Sequence, residues 1–235
     1  EKEVAEFLQP DFERDSHDPF LLPDMATAVD RILFAIKNNE RVAIWSDYDC
    51  DGVPGGVLLV EFLQSIGASV LHYIPDRHLD GFGLNNTGIV ELAERGATLI
   101  ITVDCGTTNV AQAGFAREKK IDLIITDHHL PLVSEKLFSP AAGRRGDASK
   151  NNFSSTQQLL PPALAVVNPH RTDSKYPFAE LCGAGVAWKL VQAILLKNRF
   201  SVAEGQEKWL LDLVGIATLA DMVPLVGENR MLASF

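Results

Sequence analysis

Residues 42–56 read VAIWSDYDCDGVPGG, an apolar run that passes directly into alternating aspartates and then into a glycine-rich segment. The apolar run predicts a buried strand, and the glycine-rich segment with its proline suits the start of a helix. The same order returns twice, because Leu99–Val103 precedes Asp104 and Ile121–Thr126 precedes Asp127-His128-His129. Acidic or imidazole side chains thus follow three predicted strands at their carboxyl ends, the edge where open α/β sheets bind ligands.

Predicted strands and helices alternate along most of the chain. Strands that are apolar throughout indicate burial on both faces, as in parallel sheets. The alternation therefore predicts an α/β fold with a doubly wound, mostly parallel sheet flanked by helices. The predicted strands are Val42–Trp45, Val70–Ile74, Leu99–Val103, Ile121–Thr126 and Ala163–Val167. The predicted helices are Met25–Lys37, Val57–Ile66, Gly88–Arg95, Asn109–Lys119, Ala184–Leu196 and an apolar, buried Lys208–Leu219.

Two segments interrupt this alternation. Residues 1–22 are expected to form an irregular N-terminal arm, because Pro10 and Pro19 prevent long regular structure. Residues 134–160 are rich in Ser, Asn, Gln and Gly and exceed usual loop lengths, which indicates a flexible insertion. Residues 23–235 are expected to form one core that carries this insertion.

Composition restricts the class of protein. A chain of 235 residues with 46% hydrophobic and 22% charged residues has ordinary globular composition. No apolar stretch reaches the ~20 residues that span a bilayer, and the N-terminus lacks signal-peptide character, so no membrane association is expected. Three cysteines without paired spacing favour a reducing, cytoplasmic setting. The net charge of −10 is unusual for a general nucleic-acid binder, and it fits either a carboxylate-rich metal site or plain acidic solubility.

Asp47, Asp49 and Asp51 alternate along the chain after the first predicted strand. Residues two apart in extended backbone point the same way, so we expect these carboxylates to project to one side, where cations would relieve their repulsion. The alternative is an aspartate-rich turn that caps the next helix. Asp104 alone also fits a helix cap, but its matching position after the neighbouring strand favours a ligand whose two oxygens bridge two ions.

Adjacent side chains diverge, so His128 and His129 are expected to have different roles. We expect His128 to contact a metal ion and His129 to face a substrate phosphate, while Asp127 holds an imidazole by a hydrogen bond. Carboxylates with one or two imidazoles suit Mn²⁺ or Mg²⁺, and none of the cysteines has zinc-site spacing. Two such ions, ~3.5–4 Å apart, activate water and clamp a phosphodiester.

Four ordered motifs resemble those of the DHH phosphoesterase superfamily, and most closely those of its RecJ-like single-strand-specific exonucleases. The motifs are DYDCDG at 47–52, VDCG at 103–106, TDHH at 126–129 and LADMVPL at 219–225. Shorter stretches agree, namely HDPFLL at 17–22, DGFGL at 80–84, NP at 168–169 and GAGVA at 183–187. The resemblance covers nearly the whole chain outside residues 134–160.

The resemblance implies a ligand set for two Mn²⁺ or Mg²⁺ ions, consisting of Asp49, Asp51, Asp104, His128 and Asp221. It makes Asp104 the bridging ligand, and Asp47 and His129 complete or flank the site. The catalytic residues are then Asp47, Asp104, His128 and His129. Without the resemblance, Asp221 reads as an ordinary aspartate at a helix end.

Two departures from the superfamily pattern affect these expectations. Trp45 stands where the superfamily often has a histidine, so one ion is expected to be held more weakly or to depend on Asp47. Such enzymes also usually continue into a C-terminal substrate-binding domain, which is absent from this chain. The chain is therefore expected to be a catalytic core.

The activity implied by the resemblance is 5′→3′ exonuclease action on single-stranded DNA by two-metal activation of water, with replication or repair proteins as partners. One alternative is a DHH hydrolase of small substrates such as oligoribonucleotides or cyclic dinucleotides. Those relatives typically open their first motif with a His-x-x-Pro-Asp run, which Trp45–Asp51 lacks. The other alternative is a non-catalytic, replisome-type interaction module, in which the ligand residues would be degraded.

Overall fold

The computed structural model describes Val4, residues 7–134 and residues 157–235. Most of the predicted insertion, residues 135–156, lies outside the described residues. Its two ends are described, and they pair as short antiparallel strands, β5 (Leu132–Ser134) and β6 (Gln157–Leu159).

The main sheet has five parallel strands in the described part of the chain, in the order β2-β1-β3-β4-β7. Its strands are β1 (Arg41–Ser46), β2 (Ser69–Tyr73), β3 (Ala97–Val103), β4 (Asp122–Thr126) and β7 (Ala165–Val167). The strand order reverses between β1 and β3, which is the position where doubly wound sheets bind ligands. The predicted mostly parallel α/β sheet is confirmed.

Helices cover both faces of this sheet. The helices of the described chain include α1 (Phe12–Asp15), α2 (Met25–Lys37), α3 (Gly52–Ser65), α4 (Asn86–Glu94), α5 (Val110–Glu118), α6 (Gly183–Lys197), α7 (Leu211–Ala220) and α8 (Gly227–Leu232), with 3₁₀ turns at Pro19–Leu21 and Gln206–Leu210. None of these helices combines the length and the apolar character that crossing a bilayer requires.

Side chains alternate in direction along each strand, so neighbouring strand residues pack into two separate hydrophobic cores. Ile44 and Ile101 point into the core under α2, α3, α6 and α7. Ile100 points into the opposite core, under α4 and α5. Trp45 also belongs to this second core, where its ring packs on Tyr73 at 4.4 Å between centroids. Trp45 thus fills apolar space beneath α4, which accounts for a large ring at this position.

The strand ends are in register, and this places the polar residues that follow them in one row. Val103 lies opposite both Ser46 and Thr126, and Thr126 lies opposite Val167. The next residue of each strand continues the ladder, with backbone N–H groups donating to the neighbouring strand from Asp47 (3.1 Å), Asp104 (3.0 Å) and Asp127 (3.2 Å). The sheet therefore presents these aspartates side by side at its carboxyl edge.

The predicted helix Lys208–Leu219 is wrong in its start and in its burial. A 3₁₀ turn, Gln206–Leu210, precedes α7, which begins at Leu211. Although α7 is apolar nearly all round, Ile216 is 58% exposed and Leu219 is 54% exposed. An apolar helix sequence favours full burial, but here only one side of α7 packs on α3, α6 and α8.

Candidate metal centre

The turn that follows β1 contributes Asp49 and Asp51 to the site. Asp49 accepts hydrogen bonds from the backbone N–H groups of Asp51 and Gly52, both at 2.9 Å, through a single oxygen, Oδ1. These two bonds fix the turn that leads into α3, and they involve only one of the two carboxylate oxygens of Asp49. Because Asp51 has helical backbone, with φ −106° and ψ −52°, the two-residue alternation ends before it. The prediction that Asp51 projects its carboxylate to the same side as Asp47 and Asp49 is therefore wrong, and the carboxylate of Asp51 contacts other residues than theirs do.

The N-terminus of α6 holds Asp51. The Asp51 carboxylate accepts backbone N–H groups from Gly183 at 2.5 Å and Ala184 at 2.8 Å, one on each oxygen. A helix N-terminus carries partial positive charge and suits this carboxylate. A Cβ on Gly183 would lie 2.5 Å from the Cβ of Asp104, so only glycine lets α6 approach this closely.

Asp104 lies at the centre of the site. It is buried and has a left-handed backbone, with φ 61°, a conformation that aspartate tolerates better than most residues. Its Oδ1 lies 3.1 Å from Nε2 of His128 and 3.8 Å from Nδ1 of His129. Oδ1 has no hydrogen-bond partner among the described residues, and neither does Oδ1 of Asp47. Buried carboxylate oxygens without partners are costly, and a bound cation would satisfy them.

His128 connects the sheet edge to the helical layer. Its Nε2 lies 3.7 Å from Oδ2 of Asp51 and 3.8 Å from Oδ2 of Asp221. Asp221 is the residue at which α7 ends, so it reaches the site from an element far from the sheet edge. The strand-end pattern gave no indication of Asp221, which was expected only from the resemblance.

Asp127 holds the neighbouring imidazole. Its Oδ1 lies 2.8 Å from Nδ1 of His129 and also accepts the backbone N–H groups of His128 and His129. Its Oδ2 accepts the N–H of Thr107 at 2.8 Å. Burial alone would raise the pKa of Asp127, but its hydrogen bond with His129 and the backbone donors lower it. The same hydrogen bond raises the pKa of His129.

Asn168 was missed as a site residue, although it follows β7 just as the aspartates follow their strands. Its side-chain amide donates to Oγ1 of Thr107 and to the carbonyl oxygen of His129, both at 2.9 Å. Its side-chain oxygen accepts the N–H of His170 at 2.8 Å. Asn168 is fully buried and thereby fixes the loop that carries His129. The available signal was a polar residue directly after a buried strand.

The predicted site residues come together as three overlapping groups of ligand atoms. Within each group, the atoms lie within 4.8 Å of one another in the described part of the chain. The groups are Asp47-Asp49-Asp104, Asp51-His128-Asp221 and Asp104-His128-His129. Asp104 and His128 each belong to two groups. The arrangement therefore offers ligand atoms for more than one cation.

The carboxylates raise one another's pKa in the absence of cations. Burial raises the pKa of Asp47 to about 6, with a further contribution from Asp49. Burial, followed by the charges of Asp51 and Asp49, raises the pKa of Asp104 far above its usual range. Burial also raises the pKa of Asp51, although two backbone N–H groups oppose the shift. A divalent cation would reverse these shifts by favouring the ionised forms.

Asp47→Asn is expected to stabilise the metal-free protein, because it removes a buried carboxylate whose pKa is raised. The pKa of Asp47 is about 6 in the folded chain against an ordinary value of 3.8, so the folded state binds more protons between these pH values. The free energy of unfolding therefore falls as pH rises through this window. Asparagine does not titrate, so the variant should gain stability over the wild type from about pH 4 to about pH 6, with a constant difference above.

Urea unfolding with a chelator present, at several pH values, measures this difference. A stability difference that does not change with pH would contradict the prediction. Adding Mn²⁺ should stabilise the wild type more than the variant.

Aromatic and cationic side chains border the carboxylate cluster. The guanidinium of Arg77 lies 5.1 Å from the ring centroid of Tyr48. Tyr48 stands between Asp47 and Asp49 in sequence, and the positive charge of Arg77 is felt at Asp47. Phe82 contacts His129 edge-on, with ring centroids 5.5 Å apart, and is itself 48% exposed. The rim of the site thus offers one cation and two aromatic rings to a ligand.

Sequence comparisons relate the chain to a known family. Residues 41–218 match the DHH family, N-terminal domain. The single-stranded-DNA-specific exonuclease RecJ of Bacillus subtilis (strain 168) is 40% identical over 220 residues, which cover 94% of this chain and 24% of that protein. RecJ of Escherichia coli (strain K12) is 34% identical over 219 residues, which cover 90% of this chain and 34% of that protein. The chain thus spans about a quarter to a third of the length of these relatives.

Solved structures give the same relationship. A crystal structure of exonuclease RecJ bound to manganese is 31% identical, with a TM-score of 0.70, and the match covers 90% of this chain and 46% of that one. RecJ of Thermus thermophilus in complex with Mn²⁺ is 30% identical, with a TM-score of 0.66 over 90% of this chain and 26% of that one. The predicted resemblance to RecJ-like DHH phosphoesterases is confirmed.

Proposed function

Because this chain belongs to the DHH family, we propose that it is the catalytic core of a RecJ-like exonuclease that degrades single-stranded DNA from its 5′ end with two Mn²⁺ or Mg²⁺ ions. The observation that supports the proposal is the overlap of three ligand groups at the sheet edge, where Asp104 and His128 each belong to two of them. Relatives named as single-stranded-DNA-specific exonucleases support the choice of substrate.

The donor set supports this choice of metal. The ligand atoms come from carboxylates and imidazoles, with no thiolate among the groups found in the described residues. Such oxygen-rich sites with a few nitrogens suit Mn²⁺ and Mg²⁺ better than zinc. The buried Oδ1 atoms of Asp47 and Asp104, which accept no hydrogen bond from the described residues, also fit a bound cation.

Two cation sites follow from the grouping. The first cation site consists of Asp47, Asp49 and Asp104, and the second cation site consists of Asp51, His128 and Asp221. Asp104 also faces His128 and therefore lies between the two sites. Bound there, the ions would supply Lewis acidity and lower the pKa of a water molecule next to a phosphodiester.

The remaining residues act on the substrate. Asp127 accepts the Nδ1–H of His129, so the raised pKa of His129 keeps this ring protonated over a wider pH range. The ring then offers its other N–H to a phosphate oxygen. Arg77 adds a positive charge for the DNA backbone, and Phe82 offers an exposed ring on which a base can stack. These contacts supply local attraction in a chain whose net charge is −10.

The cellular setting is part of the proposal. All three cysteines are free, which agrees with a reducing, cytoplasmic compartment. Replication or repair proteins are proposed as partners, because single-stranded DNA with a free end arises where such proteins act.

A nuclease assay with matched substrates tests this function. We expect Mn²⁺-dependent release of nucleotides from a linear single strand labelled at its 5′ end, little release from a duplex, and none from a closed single-stranded circle. A circle degraded as fast as the linear strand would refute exonuclease action. Faster hydrolysis of a dinucleotide than of the long strand would favour the small-substrate alternative. No hydrolysis despite Mn²⁺ binding would favour the non-catalytic alternative.

A further inference from the structure

The first turn of helix α8 contains two fully buried polar residues, Glu228 and Asn229. The side-chain amide of Asn229 donates to the carbonyl oxygen of Glu180 at 2.5 Å and to that of Pro224 at 3.1 Å. Pro224 lies in the turn that leaves Asp221, and Glu180 lies three residues before Gly183. One amide therefore ties the turn carrying Asp221 to the segment that enters α6.

The two tied segments serve the same cation site. Asp221 belongs to the second cation site directly, and α6 holds Asp51 of that site through the N–H groups of Gly183 and Ala184. The spacing between Asp221 and Asp51 thus depends on how the turn sits against the entry to α6. Asn229 joins the two segments through hydrogen bonds to Glu180 and Pro224, and neither bond involves the carboxylate of Asp221 or Asp51.

Apart from Val223, which packs partly buried on a small apolar cluster at the start of α6, the apolar side chains of this turn are exposed. Met222 has a left-handed backbone, with φ 61°, and its side chain is 87% exposed. Leu225 and Val226 are also exposed. Segments with few buried apolar contacts open easily unless hydrogen bonds fix them. Beside the Val223 contact, the amide of Asn229 anchors the turn by its hydrogen bond to the carbonyl oxygen of Pro224.

Glu228, the residue before Asn229, holds the first turn of α8 in place through buried polar contacts. Its carboxylate forms a fully buried ion pair with Lys189 of α6. It also accepts the hydroxyl of Tyr176 at 2.5 Å and the N–H of His17 at 3.3 Å. These bonds join the first turn of α8 to α6 and to the N-terminal arm, so the neighbouring Asn229 cannot shift without breaking a buried charged network.

We propose that Asn229 is a positioning residue that holds Asp221 at its working distance from Asp51, and so sets the affinity of the second cation site. This inference rests on the proposed two-metal centre. The first cation site is built on the ends of β1 and β3, which α8 does not touch through Asn229. The inference therefore predicts a selective effect on one of two ions.

Asn229→Ala is expected to weaken one of two Mn²⁺-binding steps by roughly 10–100-fold, as loss of a ligand-orienting partner does in other metal sites. The other step should stay within about twofold of the wild type, since a residue outside a site leaves that site's ligands in place. Calorimetric titration of the full chain with Mn²⁺ measures both steps. Asn229→Ser, which retains one donor, should give a smaller weakening of the same step and serves if the alanine variant does not fold.

Asn85→Ala is the matched control. Asn85 caps α4 by accepting the N–H of Gly88 at 2.7 Å, and α4 supplies no ligand to either cation site. Its loss should cost about 1 kcal/mol of stability and leave both Mn²⁺ steps unchanged. Unchanged Mn²⁺ binding by folded Asn229→Ala and Asn229→Ser would overturn the positioning role, as would equal weakening of both steps. A wild-type chain that binds no Mn²⁺ would instead overturn the proposed metal centre.

Discussion

Asp104→Asn is expected to reduce Mn²⁺-dependent nucleotide release by on the order of 1,000-fold or more while stabilising the metal-free protein. In the proposed centre Asp104 lies between the two cation sites, so its loss should weaken the binding of both ions. Metal ions contribute several kcal/mol to transition-state charge stabilisation, and about 1.4 kcal/mol corresponds to a factor of ten in rate. The gain in stability has a separate cause, because the buried carboxylate of Asp104 faces Asp51 and Asp49 without a cation.

Opposite changes in activity and stability separate this prediction from simple misfolding. Nuclease rate with Mn²⁺ and urea unfolding with a chelator would be measured at the same pH. Asp30→Asn is the matched control, because Asp30 is an exposed aspartate on α2 and should change neither quantity. Wild-type release by Asp104→Asn would refute the central role of Asp104. If Asp104→Asn is less stable than the wild type without metal, the buried carboxylate of Asp104 does not destabilise the metal-free protein as proposed.

The sheet and the row of aspartates could be predicted from sequence because both follow from local rules. Apolar runs that alternate with helical segments specify a parallel sheet, and parallel strands end at one edge. Asp47, Asp104 and Asp127 each follow a buried strand directly, so the strand register alone brings them together. His128 lies next to Asp104 and His129 next to Asp127, and the different roles expected for the two histidines stay a prediction.

The helical side of the site could not be predicted in this way. Asp221 approaches from the end of α7, and only tertiary packing brings that end to the sheet edge. The alternation rule also failed at Asp51, because helical backbone begins there and turns its carboxylate toward α6. The exposure of α7 could not be read from its composition, since an apolar helix does not specify which side another element covers.

Asn229 shows why such residues are missed. Its partners are backbone carbonyl groups, and a carbonyl carries no residue-type signal in the sequence. Gly183 was visible as part of a motif, but its reason is a contact with Asp104, about eighty residues away in sequence. Metal ligands can be inferred from chemistry at strand ends, whereas the residues that position them depend on contacts that only the folded chain defines.

Lys189→Met is expected to lower the free energy of unfolding by about 3–5 kcal/mol, the usual effect of removing one partner of a buried ion pair. Lys189 and Glu228 have no exposed side-chain surface, and Nζ of Lys189 also donates to Oγ of Ser16 and to the carbonyl oxygen of His17, each at 3.0 Å. Methionine fills similar volume but leaves the Glu228 carboxylate buried with only neutral donors. The substitution also removes the hydrogen bonds by which Lys189 of α6 holds the N-terminal arm.

Adding Glu228→Gln to Lys189→Met should recover part of the loss, since glutamine carries no charge and still accepts the hydroxyl of Tyr176. Arg95→Met is the matched control, because its ion pair with Glu91 is exposed, and it should cost no more than about 0.5 kcal/mol. Urea unfolding at constant pH measures all three variants. If Lys189→Met costs no more than the Arg95 control, or if the double variant is less stable than Lys189→Met, the buried pair does not hold α8 and the arm to α6 in the way its contacts indicate.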